Sequence, residues 1–285
     1  MRAGAIAAEA RDFGIKKVAE GGSSLALANE IEALIRERGA KCAFPVNIGV
    51  NDVAAHYTPS IQNPVIFRHG DVVKIDVGAH IDGYPADTSA TVEVGTRNNS
   101  GLIECANDAL RICIEMAAPG TPVSAIGGAV ARTIRSAGFK PVENLTGHSM
   151  AKFNLHAGLS VPNIDNNDRS TLKEGMVVAI EPFSTTGSGR VSGKGKGGIF
   201  RIIRERKAPP EVLELFGRIK DEFGLFPFAG RWCDDLHPDA QDALVKMVRL
   251  GMVMSYDILR ENSGGVVAQA EHSIIVLDGG CRTIT

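Results

Sequence analysis

The chain has no Cys-x-x-Cys pair, and its five cysteines (Cys42, Cys105, Cys113, Cys233 and Cys281) are scattered and odd in number. That argues against a disulfide framework and a paired-thiol metal or redox motif. The cysteines are expected to be reduced thiols, mostly buried as small hydrophobes. No apolar run reaches the roughly 18 residues of a membrane-spanning helix. The opening segment MRAGAIAAEARDFG lacks the apolar core of a signal peptide. Neither charge sign dominates: the net charge is −2, which leaves no electrostatic footprint for nucleic acid or an anionic membrane. A Gly-x-Ser-x-Gly nucleophile elbow is absent. The segment GSGRVSGKGKGG misses the phosphate-loop spacing, with Ser188 where the first glycine belongs and Gly195 after Lys194. It is expected to be a flexible or turn-rich surface loop over 187–198. These absences leave a cytoplasmic protein that binds neither membrane nor specific nucleic acid, with a monomer as the default state.

What is present is a 285-residue chain with 44% apolar residues, enough to bury a sizeable core in one large domain or two smaller ones. Helical periodicity over 2–20 and 24–38 breaks at Gly21-Gly22, with Ser23 or Ser24 as cap and Gly39 as stop. Two further helices are expected at 100–118 and 122–137, and two amphipathic ones at 209–224 and 239–251. The run DVVKIDVGAHIDGYPADTSATVEVG reads as a hairpin around Asp82-Gly83. GMVVAIEPF (175–183) reads as a buried strand, and 266–270 and 272–277 as the final strands. The helical block 206–254, which holds the only tryptophan, Trp232, looks inserted into a fold made of 1–205 and 255–285.

Against this background four acids stand out. A two-residue turn at Asp82-Gly83 would set position 78 opposite 87 and 76 opposite 89. Asp76 and Asp87 would then share one sheet face as diagonal neighbours, with Cα atoms roughly 7–8 Å apart. That separation suits a cation held between them; a three-residue turn would put them on opposite faces. Glu181 in MVVAIEPF and Glu271 in VVAQAEHSIIV also sit among apolar residues. A buried carboxylate needs a partner. Glu181 paired with an arginine, or Glu271 ending an exposed edge strand, would be the structural alternatives. Four carboxylates and one imidazole suit hard or borderline divalent ions, and two ions sharing bridging carboxylates would account for so many acids. Such a set points to an enzyme that breaks a bond with metal-activated water. Which of seven histidines (His56, His69, His80, His148, His156, His237 and His272) joins them is not decided by spacing. His69 and His80, near turns, are expected to be exposed.

The pieces FPVNIGVNDVAAHYTP, KIDVGAHIDGYPADTSATV, TGHSM, NLHAG, AIEPF and AQAEHSIIV, in this order, resemble the methionine aminopeptidases, in the short archaeal form of type 2. The resemblance spans nearly the whole chain. It implies an α+β pita-bread fold: a curved antiparallel sheet in two pseudo-symmetric halves, with an inserted helical subdomain. It implies Asp76, Asp87, His148, Glu181 and Glu271 as ligands of two divalent ions (cobalt, manganese, iron or zinc), with Asp87 and Glu271 bridging. By the same resemblance His56 and His156 contact substrate and Glu181 acts as general base, while Phe44 and Leu155 wall the methionine pocket. The implied reaction removes the initiator methionine from nascent polypeptides with a small second residue. The block 206–254 is expected to wall the active-site cleft, with docking of a partner such as the ribosome as the alternative. A proline-directed peptidase of the same fold, or a non-catalytic binding protein on this scaffold, is the competing expectation.

Overall fold

The Asp82-Gly83 turn sets the register of the molecule. In the structure, a computed structural model describing residues 1–62 and 64–285, strands Val72–Ile81 and Tyr84–Glu93 are joined by these two residues alone. Both have positive φ, 52° and 83°, the type I′ geometry that matches strand twist. Gly78 pairs with Asp87 and Asp76 with Ser89, as the sequence predicts.

The hairpin lies in an antiparallel sheet of nine strands among the described residues. From the hairpin the sheet runs through Glu271–Leu277, Val177–Ile180 and Thr146–Met150 to Ser160–Pro162. Helices α1 (Arg2–Lys17) and α2 (Ser24–Glu37) cover the hairpin half, burying Ile31, Ile35, Ile75 and Val77. Helices α3 (Ser100–Met116) and α4 (Val123–Ser136) cover the other half, burying Ile126, Ile134, Val178, Ile180 and Ile274. Side chains alternate faces along a strand. With Ile75, Val77, Ile180 and Ile274 turned to the helices, Asp76, Glu181 and Glu271 leave the sheet on the opposite face. The two helix pairs thus explain why apolar strands each carry an acid.

Three expectations need correction. The segment 175–183 is not one strand: Val177–Ile180 and Phe183–Thr185 belong to different sheets. Pro182 lies between them and has no N–H to continue a ladder. The glycine-rich 187–198 is not a flexible or turn-rich loop, because strand Val191–Ile202 takes up most of it, paired with shifts of register to Val253–Glu261. Its glycines permit close backbone contact: a Cβ on Gly197 would lie 1.8 Å from the His56 carbonyl oxygen. His80 is not free in solvent; its ring stacks on Phe226 at 4.4 Å between centroids, and burial pushes its pKa down to about 4.

Between the paired strands Val191–Ile202 and Val253–Glu261 the chain forms α5 (Pro210–Phe223), a 3-10 turn (Gly230–Asp235) and α6 (Ala240–Arg249). Val212, Phe216, Ile219, Leu244 and Met247 make a core there that also takes in Phe228 and Val253. This segment is clasped to α2. Glu32, 1% exposed, accepts from Arg231 Nη2, from Trp232 Nε1 at 2.8 Å and from the Val46 amide at 3.2 Å. Arg231 Nη1 also donates to Thr58 Oγ1 at 2.7 Å and to the Pro59 carbonyl at 3.3 Å. Among the described residues, no helix is long and apolar enough to cross a membrane.

Candidate metal centre and active site

All nine residues singled out by sequence line one solvent-open cavity: Phe44, His56, Asp76, Asp87, His148, Leu155, His156, Glu181 and Glu271. They arrive from both halves of the sheet. The hairpin carries Asp76 and Asp87, Thr146–Met150 carries His148, and Glu271 opens the strand between the halves. Glu181 follows Val177–Ile180, where the chain leaves the sheet.

Side-chain hydroxyls hold these strands in place. Ser273 Oγ donates to the Asp87 carbonyl at 2.8 Å and accepts from the Asp87 amide at 2.9 Å. Thr88 Oγ1 donates to the Glu271 carbonyl at 2.8 Å and accepts from Arg11 at 2.6 Å. The Gln269 side-chain amide adds to this: its Nε2 donates to Glu271 Oε2 at 3.3 Å and to Glu181 Oε2 at 3.5 Å.

The charge distribution is what gives the cavity its chemistry. His148 Nε2 lies 3.5 Å from Asp87 Oδ2 and 3.8 Å from Glu181 Oε1. One donor atom each from Asp87, His148 and Glu271 fall within 4.8 Å of one another. Among the described residues, no lysine or arginine forms an ion pair with any of the four carboxylates. Burial, and then the charges of neighbouring carboxylates, pushes Asp76, Glu181 and Glu271 well above the usual carboxylate range. Burial pushes Asp87 up to about 7. Burial pulls His148 down to about 4, so its imidazole is neutral near pH 7. Asp76 Oδ1, Asp87 Oδ1 and His148 Nδ1 are buried without a hydrogen-bond partner. Crowded acids, a neutral imidazole and unpartnered atoms fit a divalent cation, the one kind of group that satisfies them together.

A pH dependence follows. Asp87's folded value, about 7, lies above its ordinary 3.8, so the folded state holds the extra proton between them. That stabilising contribution is complete below the unfolded value and is lost as pH rises through the folded one. Asp87 therefore contributes more stability to the metal-free protein near about pH 5.5 than near about pH 8, whereas the buried histidines, with pKa values pulled down to about 4, act in the opposite sense. Relative to Asp87→Asn, whose amide does not titrate, metal-free wild type should lose melting temperature between about pH 5.5 and about pH 8. Added divalent ion should remove that loss, since it competes with protons for the same oxygens. Melting curves of both proteins with and without chelator test this; a wild-type advantage that grows over the interval contradicts it.

Around the acids stand the groups that would meet a substrate. His56 follows strand Val53–Ala55 and has φ 62°, a left-handed conformation that is uncommon for a residue with a side chain. Burial, then the neighbouring His156, pulls its pKa down to about 4. Burial, then His148, does the same to His156, whose ring is 4.2 Å from that of His148. Phe44, Leu155, Met150 and Phe226 form an apolar cluster beside them. Gly78 makes room for it: a Cβ there would lie 2.2 Å from the Phe44 ring. Sequence reasoning missed Asn47, Tyr256 and Gln269. Tyr256 meets His56 edge-on, with centroids 5.1 Å apart, from a strand hidden behind the helical segment.

Residues 1–204 match the model of metallopeptidase family M24. The methionine aminopeptidase of Pyrococcus horikoshii is 43% identical over 282 residues, covering 97% of this chain and 95% of that protein. The chain belongs to the methionine aminopeptidases of family M24. Members of this family are metallopeptidases, which accords with the cavity's ligand set. The fold agrees: the methionine aminopeptidase structure from Thermotoga maritima superposes with a TM-score of 0.73 at 21% identity, covering 100% of this chain and 94% of that one. Prolidase from Pyrococcus furiosus shares the fold too, with a TM-score of 0.64 at 20% identity, but this chain covers only 61% of it.

Proposed function

We propose that the protein is a metal-dependent methionyl aminopeptidase, removing the N-terminal methionine from nascent chains and peptides whose second residue is small. The observation that carries this reading is the convergence of four buried carboxylates and a neutral imidazole, with no lysine or arginine ion-paired to the acids among the described residues. The full-length likeness to methionine aminopeptidases supplies the substrate class. Asp76, Asp87, His148, Glu181 and Glu271 would hold two divalent ions, with Asp87 and Glu271 serving both. Cobalt, manganese, iron and zinc all suit oxygen ligands with one nitrogen. When bound, the ions supply an activated water near neutral pH and draw electrons from the scissile carbonyl.

The chain's own groups do the rest. Glu181, with its raised proton affinity, accepts the proton of the attacking water. His156, neutral, donates an N–H to the developing oxyanion. His56, also neutral, faces the scissile amide and assists the departing nitrogen. Phe44 and Leu155 receive the methionine side chain, and the closed cluster behind them limits what fits. The helical segment 206–254 is read as a subdomain that walls the cleft, supported by Phe226 in the apolar cluster and Pro227 at the cavity lining. Ribosome contact would use its outer surface. A cytoplasmic location accords with five unpaired cysteines, and a monomer is the default reading.

The test is direct. Protein purified without added metal, then chelated, should not cleave Met-Ala-Ser, and a divalent ion should restore cleavage. An Xaa-Pro substrate should be cut at least about a hundredfold more slowly, as expected for a pocket that excludes it. Preference for Xaa-Pro would favour the prolidase-like reading, and full activity after complete chelation would remove the metal site.

A further inference from the structure

Asn47 is a polar cavity residue that the reaction above leaves unused. It stands opposite Asp76 in the antiparallel ladder between Asn47–Val50 and Val72–Ile81. Directly opposed residues project to the same face, with Cβ atoms roughly 4.5–5.5 Å apart. Both side chains line the cavity. Asn47 is 6% exposed, and its Nδ2 donates to the Pro45 carbonyl at 2.8 Å. Only the amide nitrogen can donate to a carbonyl, so this bond fixes which way the side chain is turned. Its Oδ1 is then left buried without a donor, as is Asp76 Oδ1. A buried acceptor without a donor costs on the order of 1–3 kcal/mol, so it marks a place that a ligand completes.

The chemistry selects the ligand. With Asp76 assigned to the ions, the neutral amide oxygen of Asn47 is the acceptor left wanting a donor. The part of a peptide substrate richest in donors is its free α-ammonium, with three N–H bonds and a positive charge. A blocked terminus offers one N–H and no charge. A divalent ion could also take an amide oxygen as a ligand, yet four carboxylates and an imidazole already offer it charged and stronger donors, and the test below separates the two roles. We propose that Asn47 Oδ1 accepts a hydrogen bond from the substrate's free α-amino group, so that Asn47 enforces cleavage at a free N-terminus. This rests on the methionine-aminopeptidase reading and adds to it the residue that senses the amine.

The test is calorimetric. L-Methionine and 4-(methylthio)butanoate, the same molecule without its amine, are titrated into metal-loaded wild type, Asn47→Leu and Asn47→Asp, with metal content measured for each. Asn47→Leu should bind methionine about 10- to 100-fold more weakly, the loss of a hydrogen bond to a charged group. Its affinity for 4-(methylthio)butanoate and its metal content should be unchanged. Asn47→Asp, which keeps an acceptor at the same reach, should retain the preference for the amine. Should Asn47→Leu fail to fold, loss of that preference in Asn47→Asp overturns the proposal. Equal weakening of both ligands overturns it as well, and reduced metal content would make Asn47 an ion ligand instead. A wild type that cleaves no methionyl peptide removes the underlying reading, an outcome distinct from a wild type that cleaves but whose variants keep full amine preference.

Discussion

Glu271→Ala should lose turnover by roughly a thousandfold or more, beyond the 10- to 100-fold typical of residues that merely orient a metal ligand, while the metal-free fold becomes more stable. Both signs come from one cause. Glu271 is 1% exposed, and burial followed by the charges of Asp87, Glu181 and Asp76 raises its proton affinity. Without an ion, it is one of four acids forced together, so deleting it relieves repulsion. With ions, it is a ligand proposed to serve both, so deleting it should lower the bound metal from two equivalents. Metal analysis, peptide turnover and melting in chelator read the three effects separately. A variant that loses activity with full metal content and lowered metal-free stability would show Glu271 to be structural.

Arg231→Ala should destabilise the protein by about 3–5 kcal/mol, the usual cost of stranding one partner of a buried ion pair. For a chain of this size that is a drop of roughly 6–10 °C in melting temperature. The guanidinium is 7% exposed and pairs with Glu32. Its loss leaves the buried Glu32 carboxylate without its counter-charge, with Trp232 Nε1 and the Val46 amide as its remaining donors among the described residues. Adding Glu32→Gln to Arg231→Ala should recover part of the loss, because a neutral amide needs no counter-charge. Turnover should fall as well: Arg231 bonds to Thr58 and Pro59, just after His56, and Glu32 holds Val46, between Phe44 and Asn47. A melting temperature unchanged within about 1 °C would mean the pair contributes no more than an exposed one.

How far the site could be read beforehand differed residue by residue, for physical reasons. Asp76 and Asp87 were legible because a two-residue turn converts sequence separation into a shared face. Glu181 and Glu271 were legible because an acid within an apolar strand must be partnered. His148, His56 and His156 were not, since imidazole fills many roles and seven candidates were present; only the family resemblance chose among them. Asn47 and Tyr256 went unread because their importance lies in a pairing and a ring contact made across long stretches of chain. The strand Val191–Ile202 was mistaken for a loop because glycine ordinarily signals a turn. Here it signals backbone packed against the His56 carbonyl. The clasp joins residues 199 apart in sequence, and nothing local marks either of them.

The Asp82-Gly83 turn lies at the rim of the sheet, where Phe153 donates its amide to the Gly83 carbonyl at 2.7 Å. Rims are ordinarily where chains gain and lose residues freely. Here the count of residues decides which side of the sheet receives Asp87, since a slip of one position reverses every side chain beyond it. One added residue would carry Asp87 to the face packed by helices and leave Asp76 without its hairpin partner in the cavity. A deletion or insertion in this turn would therefore act on the proposed metal centre as a point mutation does, though it alters none of its residues.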